Sequence, residues 1–224
     1  MRRHDVARMI DVSAVQAFHT EETLRKLVDV AQENDFIAVH SLPCWTRLLS
    51  QLLEKRPDIM VGAPVGFPSG GSRTETKIVE ARHLADDGVD EMDVMMNIGR
   101  LKSGDDNYVK DELLALSEEV SGIPLKVIIE TPHLTPDEID RASAIVRDSG
   151  AAFIKTGTGW TGRSADLDTI RRIVSVAGGK VEVKAAGGIR TLSALSQMYA
   201  LGVRRFGINA DAAISILAEC EQAG

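Results

Sequence analysis

Residues Ala151–Trp160 read AAFIKTGTGW. A short apolar run, Ala152-Phe153-Ile154, ends on Lys155 and breaks into Thr156-Gly157-Thr158-Gly159. A strand that buries its apolar residues and delivers a lysine at its C-terminal tip has this pattern. The glycines beyond it turn the backbone and free N–H groups for a ligand. A second stretch, Val181-Glu182-Val183-Lys184-Ala185-Ala186-Gly187-Gly188-Ile189-Arg190, repeats the design. Again a β-prone run ends on a lysine and then on paired glycines. Two lysines at the ends of neighbouring strands repel each other and lose water, a cost that points to chemistry.

Outward from these stretches the chain alternates. Met9 to Val12 is a first strand, and Thr20 caps a helix with Leu24, Leu27, Val28 and Ala31 at helical spacing; Thr23 falls short of a full capping box. Phe36 to Val39 is a second strand, before a helix marked by Trp45, Leu48, Leu49, Leu52 and Leu53. Asp58 to Val65 is a third, and the helix from about Thr74 carries Ile78, Val79, Ala81 and Leu84 on one face. Val89 to Met96 and Leu125 to Glu130 are the fourth and fifth, each followed by a helix, the second opened by Thr135 and Pro136. A helix from Ala165 to Val176 follows the sixth strand, and Thr191 caps the one after the seventh. Arg204 to Gly207 is a short eighth strand, and Ala210 to Glu221 a last helix.

Eight strand-then-helix units without a linker predict a parallel sheet with right-handed crossovers. In 224 residues they fit one α/β domain over 1–224, a closed (β/α)8 barrel with its working residues at the C-terminal strand ends. An open doubly wound sheet would want a GxGxxG turn after an early strand, and none is present. The net charge of −7 gives no electrostatic footprint for nucleic acid, so an anionic ligand needs a local site. No signal-like or membrane-length apolar run appears, and Cys44 and Cys220 lack metal-type spacing, so a reduced cytoplasmic protein is expected.

The polar residues at the strand tips are Asp11, His40, Asp93, Asn97, Glu130, Lys155 and Lys184, all expected in one cleft. Lys126, at the start of its strand, is expected deeper in the barrel or at the opposite face. An unperturbed lysine is neutral only about once in 2,500 at pH 7, whereas a pKa near 7 leaves about half of it reactive. A neighbouring ammonium and a dry pocket both push that way, and the implied chemistry is a Schiff base with a carbonyl substrate. The plainer reading pairs each lysine with a carboxylate such as Glu130 or Glu182. Asp93 is either a proton relay or an ion-pair partner, and Glu91 is expected on the other face of its strand, in a structural role. Gly187, Gly188 and Gly207, each expected ahead of a helix N-terminus, suggest a phosphate cradle that Arg190 could reinforce, or plain turns. His40 and His133 read as wall residues at strand ends. No His/Asp/Glu cluster has metal spacing, so no metal is expected.

Together Gly66-Phe67-Pro68, Thr74-Glu75-Thr76-Lys77, Asp90-Glu91-Met92-Asp93, Lys126 to Thr131, Phe153 to Gly159 and Lys184 to Arg190 resemble the deoxyribose-phosphate aldolase family over nearly the whole chain. The resemblance implies a TIM barrel and a class I aldolase without cofactor or metal. It makes Lys155 the Schiff-base lysine, Lys184 the lysine that lowers its pKa and Asp93 the proton-transfer acid. It also implies a phosphate site at Gly159, Gly187, Gly188 and Gly207; Thr158, Asn209 and Asp11 complete the expected substrate-facing set. The implied reaction is reversible cleavage of 2-deoxyribose 5-phosphate to glyceraldehyde 3-phosphate and acetaldehyde. A small phosphosugar is thus the expected partner, with no nucleic acid or membrane, and a homodimer is the association the fold family suggests. The chain departs from the family pattern at Ser13, at His40 where a cysteine is usual, and at Asn209-Ala210 where serine is usual. These changes keep open an aldolase of the same mechanism acting on another sugar or aldehyde, and a barrel that binds a phosphosugar without turning it over.

Overall fold

Strand and helix alternate as the apolar periodicity predicts. A computed structural model describes residues 1–163 and 166–222. The strands are β1 (Ile10–Ala14), β2 (Ala38–Ser41), β3 (Met60–Val65), β4 (Glu91–Met95), β5 (Leu125–Ile128), β6 (Phe153–Lys155), β7 (Glu182–Ala186) and β8 (Val203–Ile208). The helices are α1 (Arg3–Ala7), α2 (Glu21–Asn34), α3 (Thr46–Leu53), α4 (Thr74–Asp86), α5 (Ile98–Lys102), α6 (Asp106–Glu119), α7 (Pro136–Arg147), α8 (Leu167–Ala177), α9 (Leu192–Leu201) and α10 (Ala210–Gln222). The strands close in sequence order, each parallel to the next, and β8 pairs with β1 through Asp11 and Gly207. This is the (β/α)8 barrel.

Side chains alternate along each strand, so one set faces the barrel axis and the other the helices. Val12, Val39, Val61, Val94, Val127, Ile154, Val183 and Phe206 belong to the buried apolar set that joins strands to helices. Each contributes about 1.5–3 kcal/mol on burial. Their neighbours Asp11, His40, Asp93, Lys126, Lys155, Lys184 and Arg205 turn the other way and meet inside the barrel. No helix among the described residues is long and apolar enough to cross a membrane.

Several local expectations need correction. Thr20 and Thr23 do form a reciprocal capping box, because the Thr23 hydroxyl accepts from Thr20 N at 3.3 Å as a longer side chain would. In α4 the buried face is Lys77, Ala81 and Leu84, whereas Val79 is exposed. Gly207 lies inside β8 rather than after it. β5 ends at Ile128, and Glu130 turns left-handed with φ 50°. Ala165, the expected start of a helix, lies outside the described residues, and α8 is described from Leu167.

Candidate active site

The barrel interior divides by charge. Four consecutive strands each bring one cation: Lys126 from β5, Lys155 from β6, Lys184 from β7 and Arg205 from β8. The facing half brings Asp11 from β1, His40 from β2, and Glu91 and Asp93 from β4. Lys155 and Lys184 are direct partners in the β6–β7 register, and Lys184 and Arg205 in the β7–β8 register. The adjacency that the two lysine-ending strands imply is therefore built into the ladder.

Neither lysine pairs with Glu130 or Glu182. Lys155 Nζ donates to Asp93 Oδ2 at 2.6 Å. Lys184 Nζ sits 2.6 Å from Asp11 Oδ2 and 3.0 Å from Asp93 Oδ2. Below them Arg205 donates to both Asp11 and Glu91, and Lys126 pairs with Glu91, which places Lys126 in the deeper layer. Glu91 thus lies inside the barrel, contrary to expectation. It is two residues from Asp93, and a period of two puts both on one face. Asp11 is likewise not free to meet a ligand phosphate: it is 1% exposed and engaged by Lys184, Lys126 and Arg205.

Burial and charge set the proton affinities. Burial pushes the Lys155 ammonium below the ordinary lysine value; the Lys184 charge pushes it further, against the pull of Asp93. Lys184 is buried too, yet Asp11, Asp93 and Glu91 together outweigh that burial and raise it. Burial alone would raise Asp93, but the Lys155 and Lys184 charges hold it well below the usual carboxylate range. Three carboxylates face four cations among the described interior residues, so one cation is in excess; burial lowers Lys126 as well as Lys155, and of the two it is Lys155 that lines the cavity.

A cavity of about 240 Å³ opens above this cluster. Lys155, Lys184, Asp93, Thr158, Gly159, Gly187, Gly188, Gly207, Asn209 and Asp11 all line it, so the catalytic and substrate-facing set that the resemblance implies is brought together, while Asn97 and Glu130 stay out of the lining. Ser13 and His40 line it as well, whereas Asn97 instead caps α5 by accepting from Arg100 N. Glu130 accepts the Thr158 N–H at 3.1 Å and so shapes the β6–α8 loop. A Cβ at Gly157 would stand 2.8 Å from Glu130 Oε1 and push that carboxylate off the Thr158 N–H. Gly187 has φ 91° and packs against the same loop, where a Cβ would come 3.0 Å from Arg163 O. At Gly207 a Cβ would crowd Ala186 Cβ at 3.1 Å and take space beside Lys184. Asn209 Oδ1 accepts from Ala212 N at 2.9 Å, which caps α10 and leaves the amide nitrogen uncommitted.

Three contributors escaped the sequence reading. Arg205 shares strand parity with Gly207, which was a usable signal. Phe67 lines the cavity and meets Trp160 edge-on at 5.5 Å, while Trp160 Nε1 donates to Val15 O across the mouth. Nothing in their local sequence marks them as partners. Donor atoms of Asp11, His40 and Glu91 come within 4.8 Å of one another. A cation among them would meet Lys126, Lys184 and Arg205, whose charges those carboxylates already neutralise.

A buried lysine pair, a shared carboxylate and a glycine-lined mouth on a (β/α)8 barrel describe a lyase of the aldolase kind. The chain belongs to the DeoC/LacD family of aldolases, whose model matches residues 9–206. It is 52% identical over 216 residues to a deoxyribose-phosphate aldolase of Rhizobium meliloti, covering 96% of this chain and 87% of that one. A deoxyribose-phosphate aldolase of Klebsiella pneumoniae is 43% identical, with 98% and 89% covered. The solved aldolase QR15 superposes with a TM-score of 0.90 at 34% identity, covering 97% of this chain and 96% of that one. The tetrameric deoxyribose phosphate aldolase of Aeropyrum pernix gives 0.88 at 28%, with 99% and 93% covered.

Proposed function

We propose that the chain is a single-domain class I aldolase that reversibly cleaves 2-deoxy-D-ribose 5-phosphate to D-glyceraldehyde 3-phosphate and acetaldehyde. The observation that carries this reading is Lys155: a buried amine of lowered proton affinity, 2.6 Å from Asp93 and beside Lys184, at the floor of a glycine-lined cavity. Neutral Lys155 adds to C1 of the open-chain sugar, and loss of water gives the imine. Its protonated form draws the C2–C3 bonding electrons toward nitrogen while a base removes the 3-hydroxyl proton. Glyceraldehyde 3-phosphate leaves, and C2 of the remaining enamine takes a proton. Water then releases acetaldehyde and restores the amine. Asp93, fixed between the two lysines, is the group placed to take and return protons, and Lys184 keeps its charge throughout.

The phosphate end faces Gly187, Gly188 and Asn209, where backbone N–H groups and the start of α10 favour an anion. Asn209 is partly spent on its cap, which favours a second reading: an aldolase of the same mechanism whose preference for the phosphorylated sugar is weaker. The test is kcat/KM in the cleavage direction on 2-deoxyribose 5-phosphate and on plain 2-deoxyribose. Cleavage of the phosphorylated sugar with a preference of at least tenfold supports the first reading. Near-equal rates support the second, and no cleavage of either overturns both. In this reading the enzyme works in the cytoplasm as a homodimer, with Cys44 and Cys220 as free thiols.

A further inference from the structure

The imidazole of His40 stands in the reactive centre without a settled partner. Both ring nitrogens are buried and make no hydrogen bond among the described residues, yet the residue lines the cavity. Nε2 lies 3.4 Å from Glu91 Oε1 and 3.6 Å from Asp93 Oδ1. The ring reaches these β4 carboxylates from β2 by passing over β3. It can do so because its register partner on β3 is Gly62, where any Cβ would overlap the ring itself. A histidine paired with a glycine on the next strand is thus a single device for spanning two strands.

The two oxygens of Asp93 have different company. Oδ2 receives Lys155 and, at 3.0 Å, Lys184; Oδ1 faces His40, with Lys184 more distant at 3.3 Å. We infer that His40 is a positioning residue for the aldol reaction: its Nε2, poised 3.6 Å from Asp93 Oδ1, closes during turnover to donate to that oxygen and keeps Oδ2 aimed at Lys155 while that lysine changes from amine to imine. The inference rests on the function proposed above. During turnover the Lys155 nitrogen is uncharged as the attacking amine and again as the enamine, and at those points Asp93 is left with Lys184 and His40. A donor on Oδ1 then stops the carboxylate from rotating toward Lys184 alone. The charged groups around the ring are Asp11 from β1, Glu91 and Asp93 from β4, Lys126 from β5 and Lys184 from β7. Burial and the lysine charges disfavour a second proton on the ring, which leaves it a neutral donor.

The experiment compares kcat and KM across pH for wild type, His40→Leu, His40→Gln and Gly62→Ala. Leucine keeps bulk and removes the donor; glutamine returns an amide N–H near the place of Nε2. His40→Leu is expected to lower kcat about tenfold or more, the weight of one hydrogen bond to a charged group, with KM little changed. Asp93, having lost a donor, holds the Lys155 proton more tightly, so the acidic limb of the kcat profile, which Lys155 sets, moves to higher pH. His40→Gln restores most of kcat and returns the limb. Gly62→Ala displaces the ring and moves the limb in the same direction. An unmoved limb in His40→Leu, or no recovery in His40→Gln, makes His40 mere packing and overturns the inference. A wild type that cleaves neither sugar overturns the function proposed above, and this inference with it.

Discussion

Lys155 and Lys184 are neighbours in the β-ladder, yet their proton affinities shift in opposite directions. The difference lies in the carboxylates each can reach. Lys184 touches both Asp11 and Asp93, whereas Lys155 shares only Asp93. The cation that reaches two carboxylates keeps its proton, and the one that shares a single carboxylate gives it up. Replacing Lys184 by Leu removes the neighbouring charge and leaves Asp93 wholly to Lys155, so the affinity of Lys155 for its proton rises. Asp11 remains paired with Arg205 and Lys126, which keeps the variant folded. Activity at pH 7 is expected to fall about tenfold for each unit by which that pKa rises, and to recover as pH is raised. A pH–rate profile of the variant reads this directly; a loss of the same size at every pH would assign Lys184 another role.

At the scale of the element, α4 shows what the sequence could and could not convey. Of the face that apolar spacing suggests, Ile78, Ala81 and Leu84 pack on the core and Val79 does not. The residue that spacing could not supply is Lys77, because a lysine is not expected in a core. Lys77 is buried because Glu112 on α6 and the carbonyl of Met95, at the end of β4, receive its ammonium at 2.6 and 2.8 Å. The pair therefore ties two helices to the end of the strand that carries Asp93. Lys77→Ala leaves the Glu112 carboxylate buried and unpaired, and is expected to cost about 3–5 kcal/mol of stability. Urea unfolding measures it; a cost under about 1 kcal/mol would mean that the pair is no more than a surface-type contact. The site strands were more legible. Lys155 and Lys184 end short β-prone runs before glycines, and Asp93 interrupts an apolar strand, patterns visible in the sequence. Glu91 was misplaced only because the strand period of two was not applied from Asp93 backwards. Trp160, Phe67 and Val15 come from three different loops, and their meeting depends on barrel closure that no local pattern encodes.

Across the whole molecule, barrel closure turns a one-dimensional alternation into a reactive centre. Strands β5 to β8 contribute the cations, and β1 and β4 the carboxylates, so the charges oppose each other only when β8 closes on β1. The alternation of strands and helices revealed the barrel, and the two lysine-ending strands pointed to its mouth. The balance of three carboxylates against four cations was not visible, because Arg205 and Glu91 read as ordinary strand charges until their neighbours were known. That balance, together with the place of Lys155 in the cavity wall, is the physical ground for treating Lys155 as the nucleophile, and covalent trapping tests it most directly. Borohydride added together with 2-deoxyribose 5-phosphate or acetaldehyde reduces the imine to a stable amine, and digestion locates the added mass. The account predicts substrate-dependent mass on the peptide that holds Lys155; label on Lys184 or Lys126 instead, or none on any lysine, would contradict it.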